Sequence, residues 1–149
     1  MVLILPRVYQ VGSFLREQRQ GHGFETRWGH LMSYRYQSVT RILFKSRWQL
    51  KDLVEDHHVI PRHLQHHKIL RELAFDINAS KNLVMMPTKL YMEVCKGLRP
   101  DRLIHGDGHR AYNEYVKKSL NQIQSHEEFW KFHDFLKRNC RNNIDRIPW

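Results

Sequence analysis

The sequence is poor in the features that mark disulfide-stabilised, secreted or membrane-spanning chains. Its two cysteines, Cys95 and Cys140, lack CxxC spacing, which excludes a disulfide framework and argues against a thiolate metal site. The apolar opening of residues 1–5 ends at Pro6-Arg7 and is too short for a signal sequence or a membrane span. There is no internal repeat and no low-complexity segment. We therefore expect a reduced compartment, either the cytoplasm or a target cell reached without an N-terminal signal, and no membrane partner.

Acidic residues are scarce relative to basic ones. The chain has 25 Lys and Arg against 15 Asp and Glu, a net charge of +10. Residues 1–50 hold 8 basic and 2 acidic residues, or +6, and the other 99 hold 17 and 13, or +4. This imbalance predicts a polyanionic partner, nucleic acid first, with Arg35, Arg41 and Arg47 as candidate phosphate contacts. An ordinary solvated surface is the alternative interpretation, and a hydrolase of small phosphoesters is disfavoured because it would not need this charge.

Length and patterning predict one domain of the α+β class that is mostly helical. With 149 residues, we expect a core over 51–149 and a basic extension, residues 1–50, packed on it. Aromatic and basic side chains alternate over residues 24–47, and they suit either base stacking or a core with a basic rim. We favour the core, because Val39, Ile42 and Leu43 have helical spacing.

Hydrophobic periodicity and local signals place the individual elements. Strands are predicted within residues 51–60 and over 83–86, separated by a turn at 76–80. Short helices are predicted over 13–20, 62–75 and 89–98. The clearest helix covers residues 109–124, with an apolar stripe of Tyr112, Tyr115, Val116, Leu120 and Ile123. A capping box, Ser125-x-x-Glu128, opens a last helix whose apolar positions are Phe129, Phe132, Leu136 and Cys140.

Two pairs of histidines stand out as candidate chemistry. His57 and His58 are adjacent on a predicted strand, so their rings point to opposite faces and must serve different roles. If a helix starts near Gly106, the i and i+4 spacing of His105 and His109 brings both rings to one side of its first turn. The histidines of the predicted helix over 62–75 are interpreted as surface or boundary residues and not as metal ligands: His63, His66 and His67.

Three segments in a fixed order carry a resemblance to a known superfamily. They are His57-His58-x-x-Pro61, then Asp76-Ile77-Asn78-x-x-x-Asn82-Leu83-Val84-x-x-Pro87, then His105-x-x-x-His109-x-x-Tyr112-x-x-x-Val116. Together they resemble the HNH superfamily of ββα-metal nucleases over about residues 53–120, and within it the AHH branch, often found as toxin domains of bacterial conflict systems. Two positions depart from the pattern: Asp56 replaces alanine, and Leu83 follows the asparagine where glycine is frequent. Neither removes a group that the chemistry requires.

The resemblance implies a ββα-metal motif, a short hairpin among helices, and a metal-dependent endonuclease that hydrolyses phosphodiester bonds, with DNA favoured over RNA. It implies that His58 is the general base, that Asn82 fixes this base through a hydrogen bond, and that one divalent ion (Mg, Mn, Zn or Ni) is bound. The ligands of that ion would be His57, His105 and His109. Histidine suits the base because its pKa near ~6.5 leaves a neutral imidazole at physiological pH.

Several alternatives stay open beside this expectation. Arg110 or Lys81 is the candidate for contacting the phosphate, and the sequence does not choose between them. The competing function is a non-catalytic, basic nucleic-acid-binding module with a structural zinc site, which would normally be closed by four protein ligands. A toxin, a phage enzyme and a host defence nuclease all fit a chain of this kind. For a toxin, we expect a cognate inhibitor or immunity protein as a further partner.

Overall fold

A two-stranded antiparallel hairpin lies among helices in the computed structural model, which describes residues 34–94, 102–106 and 109–149. Within these residues the elements run α1 (Val39–Arg47), β1 (Val54–His58), α2 (Lys68–Glu72), β2 (Leu83–Pro87), α3 (Lys89–Val94), α4 (Arg110–Gln122) and α5 (His126–Asn142). Short 3-10 turns at Arg62–Leu64 and Ser80–Asn82 precede α2 and β2. The predicted class, α+β and mostly helical with a short hairpin, is confirmed.

The register of the hairpin separates its side chains into two faces. β1 and β2 pair from Val54 opposite Pro87 to His58 opposite Leu83. Because successive strand residues point to opposite sides, His57 lies on one face with its partner Val84, and His58 lies on the other. The two histidines are therefore delivered to different surroundings by one strand.

The face that carries His57 packs on the main hydrophobic core. Helices α4 and α5 contribute Tyr112, Val116, Phe129 and Leu136, all of which are fully buried. The apolar stripe predicted for α4 is present, with Tyr115 and Ile123 at its partly buried margin. Ser125 caps α5 as expected, since its hydroxyl accepts a hydrogen bond from the backbone N–H of Glu128 at 3.2 Å. These helices thereby support the face of the hairpin that carries His57.

The opposite face of the hairpin packs on a second, smaller cluster. It consists of Phe44 from α1, Leu50, Val54, Met85 and Tyr91. Since α1 reaches the hairpin through this cluster, the helix belongs structurally to the same packed unit as β1. The remaining part of the predicted basic extension, residues 1–33, lies outside the described residues.

The prediction that α1 buries the face formed by Val39, Ile42 and Leu43 is wrong. Val39, Ile42 and Leu43 are exposed by 71%, 57% and 62%. Helix α1 instead turns Arg41 and Phe44 inward, because the carboxylate of Asp56 on β1 provides a partner for a buried cation. Charge pairing has here overridden the hydrophobic pattern.

Several element boundaries also differ from the predictions. The helix expected over 62–75 is divided into a 3-10 turn and the five-residue α2, and Ala74 then takes a positive φ of 46°. Helix α3 begins at Lys89 as expected, but residues 95–98 of its predicted extent, like the helix over 13–20, lie outside the described residues. No helix among the described residues is long and apolar enough to cross a membrane.

Candidate metal centre and catalytic site

Three imidazoles meet on the core-facing side of the hairpin. One ligand-capable atom from each of His57, His105 and His109 lies within 4.8 Å of the other two. The ring centroids are 5.7 Å apart for His57 and His105, 5.1 Å for His57 and His109, and 4.8 Å for His105 and His109. The structure thus brings together the three residues that the sequence singled out as ligands.

The local structure that joins His105 to His109 is not the predicted helical turn. Helix α4 begins at Arg110, with His109 as its N-cap residue, and residues 102–106 are non-helical. A backbone hydrogen bond from His105 N to Pro87 O, at 2.8 Å, ties His105 to the end of β2 instead. The expected i, i+4 geometry is therefore wrong, because strand β2 holds the first ring and the helix N-terminus holds the second.

The cluster has the chemistry of a metal site. The Nε2 atoms of His57 and His109 are buried without a hydrogen-bond partner, which is costly unless another group satisfies them. Burial lowers the pKa of both rings, that of His57 well below its usual range, and the neighbouring histidines lower both further. Neutral imidazoles are the form that binds zinc, nickel and similar ions. These three donors fit a divalent ion.

Glu55 adds a carboxylate behind one of the rings. Its Oε2 lies 2.5 Å from Nδ1 of His105. With a proton on Nδ1, the ring can donate to this carboxylate and keep the lone pair of Nε2 for a metal ion. A carboxylate on the far nitrogen of a metal-binding histidine fixes the tautomer and the orientation of the ring. Sequence reasoning missed Glu55, although its position two residues before His57, on the same face of β1, is the signal that could have found it.

Aromatic side chains form the wall of the cluster. The ring of Trp149 lies 5.0 Å from that of His57, 4.5 Å from that of His109 and 5.2 Å from that of Tyr112. The indole Nε1 donates a hydrogen bond to Ile104 O at 3.0 Å, directly beside His105. Trp149 thus packs against two of the three imidazoles and is fastened next to the third. Nothing in the sequence pattern indicated this, because Trp149 lies 92 positions from His57 and 40 positions from His109.

His58 lies on the other face of β1 and has different contacts. Its Nε2 is 3.1 Å from Oδ1 of Asn78, and its ring is 4.6 Å from that of Tyr36 in an edge-on arrangement. Burial lowers the pKa of His58, and the hydrogen bond from its ring to Oδ1 of Asn78 only partly opposes this. The ring is therefore poised in the neutral form that can accept a proton.

Asn82 does not make the contact that we predicted with His58. Its amide nitrogen donates to Ile60 O at 3.1 Å and to Ile77 O at 2.8 Å, and its Oδ1 accepts from Ile60 N at 2.8 Å. With a fully buried amide engaged by backbone groups, Asn82 holds the chain that follows His58, not the imidazole. The reason is physical: Asn82 ends the 3-10 turn that leads into β2, and there its amide meets the backbone of Ile60 and Ile77.

Of the five candidate phosphate contacts, three have side chains engaged by other residues and two are exposed at helix ends. Arg41 is 5% exposed, and its Nε lies 2.8 Å from Asp56, so its predicted contact with phosphate is wrong. Arg35 is exposed but forms an ion pair with Asp76. Lys81 is exposed, with its ammonium 4.4 Å above the ring of Trp130. Arg47 is exposed at the end of α1, and Arg110 is exposed at the start of α4.

A comparison with protein-family models matches residues 41–134 to a nuclease family of the HNH/ENDO VII superfamily with conserved AHH. The chain belongs to the AHH nuclease family. Neither the curated proteins nor the solved structures that were searched give a match. Nuclease activity and a nucleic-acid substrate follow from this membership, and nucleases of this superfamily generally use divalent metals.

The position at which this AHH nuclease departs from its family name has a structural explanation. Asp56 stands before the two histidines, and its carboxylate contacts both Arg41 and Lys45 of α1, at 2.8 and 2.9 Å. The side chain of Asp56 is 8% exposed, so the aspartate serves as a buried anchor between α1 and the strand. It lies on the face of His58, whereas the metal-type cluster is on the other face.

Proposed function

We propose that this AHH nuclease hydrolyses phosphodiester bonds with one divalent ion held by His57, His105 and His109 and with His58 as the general base. The observation that carries the proposal is the cluster of three imidazoles in which two buried Nε2 atoms have no hydrogen-bond partner. Three protein donors leave positions for phosphate and water, as in catalytic sites, whereas a structural zinc site usually has four protein ligands. An ion bound there would stabilise negative charge on the phosphate and on the leaving oxygen.

In this proposal, His58 receives a proton from the attacking water at Nδ1, because Nε2 faces the Oδ1 of Asn78. The neutral state that burial favours is the state needed for this step. Backbone around the base is held in place by Asn82 and by the hydroxyl of Tyr112, which donates to Val59 O at 2.5 Å. The protein's contribution is thus to orient an unprotonated imidazole beside the substrate.

We further propose that exposed cations on the described surface bind the nucleic-acid backbone. Arg110 follows the ligand His109 directly, and Arg47 is exposed at the end of α1. Arg62 joins this set, since its guanidinium lies 5.4 Å above the ring of Tyr36, the neighbour of His58. Contacts of this kind recognise the phosphate group and not the base sequence, and both DNA and RNA carry that group. Of the two, we propose DNA as the substrate.

The test is cleavage of supercoiled DNA, single-stranded DNA and RNA by the purified protein in Mg²⁺, Mn²⁺, Zn²⁺ or Ni²⁺, with chelator as control. We expect metal-dependent cleavage that His58→Ala lowers by about two to four orders of magnitude. His63→Ala is the matched control, because His63 is exposed and lies outside the imidazole cluster. Binding without cleavage in every ion would instead favour the non-catalytic module with a structural zinc.

Expression of wild type and His58→Ala in cells tests the biological setting. If the protein acts as a toxin, its expression should arrest growth, the His58→Ala variant should not, and a cognate inhibitor or immunity protein should relieve the arrest. Growth unaffected by an enzyme that is active in vitro would favour a phage or host defence role.

A further inference from the structure

We propose that Asn78, and not Asn82, is the residue that positions His58 for catalysis; this inference rests on the proposed function of His58 as general base. Asn78 Oδ1 and His58 Nε2 are 3.1 Å apart. The amide of Asn82, by contrast, is engaged with the backbone of Ile60 and Ile77. Asn78 is therefore the asparagine that contacts the imidazole directly.

The contact selects one tautomer of the ring. An amide oxygen only accepts hydrogen bonds, so Nε2 must carry the proton for this pair to form. Nδ1 is then left with its lone pair free, which is the requirement for a base. If the proton sat on Nδ1, two acceptors would face each other at 3.1 Å in a partly buried site.

Asn78 also holds the ring from a second side. Its backbone carbonyl accepts a hydrogen bond from Tyr36 N at 2.9 Å, and this places the Tyr36 ring 4.6 Å from His58. The side chain and the main chain of one residue thus clamp the imidazole between a hydrogen bond and an aromatic ring. Rings fixed in this way have little freedom to leave the orientation needed for proton transfer.

The turn that carries Asn78 is itself reinforced. Oδ1 of Asp76 accepts from Asn78 N at 3.1 Å, and Arg35 forms an ion pair with the same carboxylate. Arg35, which we first considered as a phosphate contact, therefore ties the segment before α1 to the turn beneath the base. The chain from Arg35 through Asp76 and Asn78 to His58 orients the base without touching substrate.

Two measurements test the proposal. The first is long-range ¹H–¹⁵N correlation NMR of the zinc-loaded protein at about pH 8, with the His58 signals assigned through His58→Gln. Wild-type His58 should show the Nε2–H pattern. Asn78→Ala should give a mixture of tautomers, whereas Asn78→Asp, which keeps an acceptor oxygen in place, should retain the Nε2–H pattern.

The second measurement is single-turnover cleavage with metal content and DNA affinity determined in parallel. Asn78→Ala should lower the rate by about one to two orders of magnitude, since misplacing a catalytic group by about 1 Å has an effect of this size. Metal content and affinity should stay unchanged, and Asn78→Asp should recover part of the rate. The matched control is Asn121→Ala, which removes the same type of pair at an exposed site, where Oδ1 lies 3.0 Å from Nε2 of His67.

The outcomes separate this inference from the proposed function. A wild-type His58 with its proton on Nδ1 would overturn the inference without any variant, and so would an Asn78→Ala protein that cleaves within twofold of wild type. If wild type and His58→Ala cleave equally, the proposed function fails instead. A rate loss confined to Asn78→Ala, with rescue by Asn78→Asp and none in Asn121→Ala, would support the positioning role.

Discussion

Asp56→Ala should destabilise the protein strongly, even though it creates the Ala-His-His order for which the family is named. Asp56 is the buried partner of Arg41, whose side chain is 7% exposed, and it also contacts the more exposed Lys45. Removing one member of a buried ion pair costs about 3–5 kcal/mol, because the other charge is left without compensation. Arg41 keeps one contact, to Tyr34 O at 3.3 Å, so we expect about 3 kcal/mol.

Urea unfolding of wild type and variants measures this free energy. The matched control is Glu127→Ala, which removes an exposed pair in α5: Glu127 Oε1 lies 2.7 Å from Lys131 Nζ, with side chains 77% and 73% exposed. Because solvent screens this pair, the control should change stability by only about 0.3–0.5 kcal/mol. Equal losses in the two variants would refute the argument that burial, and not the distance between the two charges, determines how much the Asp56 ion pair stabilises the fold.

A double variant isolates the charge from the packing. Arg41→Met together with Asp56→Ala removes both members of the pair and should recover much of the stability lost in Asp56→Ala, since replacing a whole buried pair by apolar groups is often neutral. Metal content should be unchanged in Asp56→Ala, because Asp56 and His57 lie on opposite faces of β1. Loss of metal from a folded Asp56→Ala protein would show that the two faces are coupled.

Three further predictions concern other parts of the chain. Trp149→Ala should lower metal affinity at least about tenfold in a chelator competition, because the indole packs on His57 and His109; unchanged affinity would reduce Trp149 to a packing residue. Burial, reinforced by Lys137, lowers the pKa of His133 to about 4. The unfolded state therefore binds a proton that the folded state refuses, and stability falls as the pH drops from about 6.5 towards 4. His133→Gln should lessen the loss between pH 7.5 and 5 by about 2 kcal/mol, and an identical pH dependence in both proteins would contradict this. Ser125→Ala should cost about 1 kcal/mol in urea unfolding and leave cleavage unchanged, since it removes only the cap of α5.

Local patterns predicted the elements that depend on nearby residues. The apolar stripe on α4 and the capping box of α5 are confirmed because helical periodicity and capping act over three or four positions. Alternation along a strand also separated His57 from His58 correctly. Each of these signals lies within a single element, which is why the sequence alone carried it.

Predictions that required contacts between distant segments were less successful. The burial of Arg41 depends on Asp56, 15 positions away, and no pattern within α1 indicates such a partner. Asn78 and Asn82 both lie between α2 and β2, and only the folded backbone shows which of them reaches His58. His105 and His109 were grouped correctly, but through β2 and a helix N-terminus instead of one helical turn.

The most direct test of the account is metal stoichiometry measured beside single-turnover cleavage for two neighbouring substitutions. His57→Ala should lose both the bound ion and the activity, because His57 belongs to the imidazole cluster. His58→Ala should keep the ion and lose about two to four orders of magnitude in rate, as expected for the removal of a general base. A His58→Ala protein that loses its ion while His57→Ala retains it would reverse the two roles, and wild-type cleavage by both would contradict the proposed site.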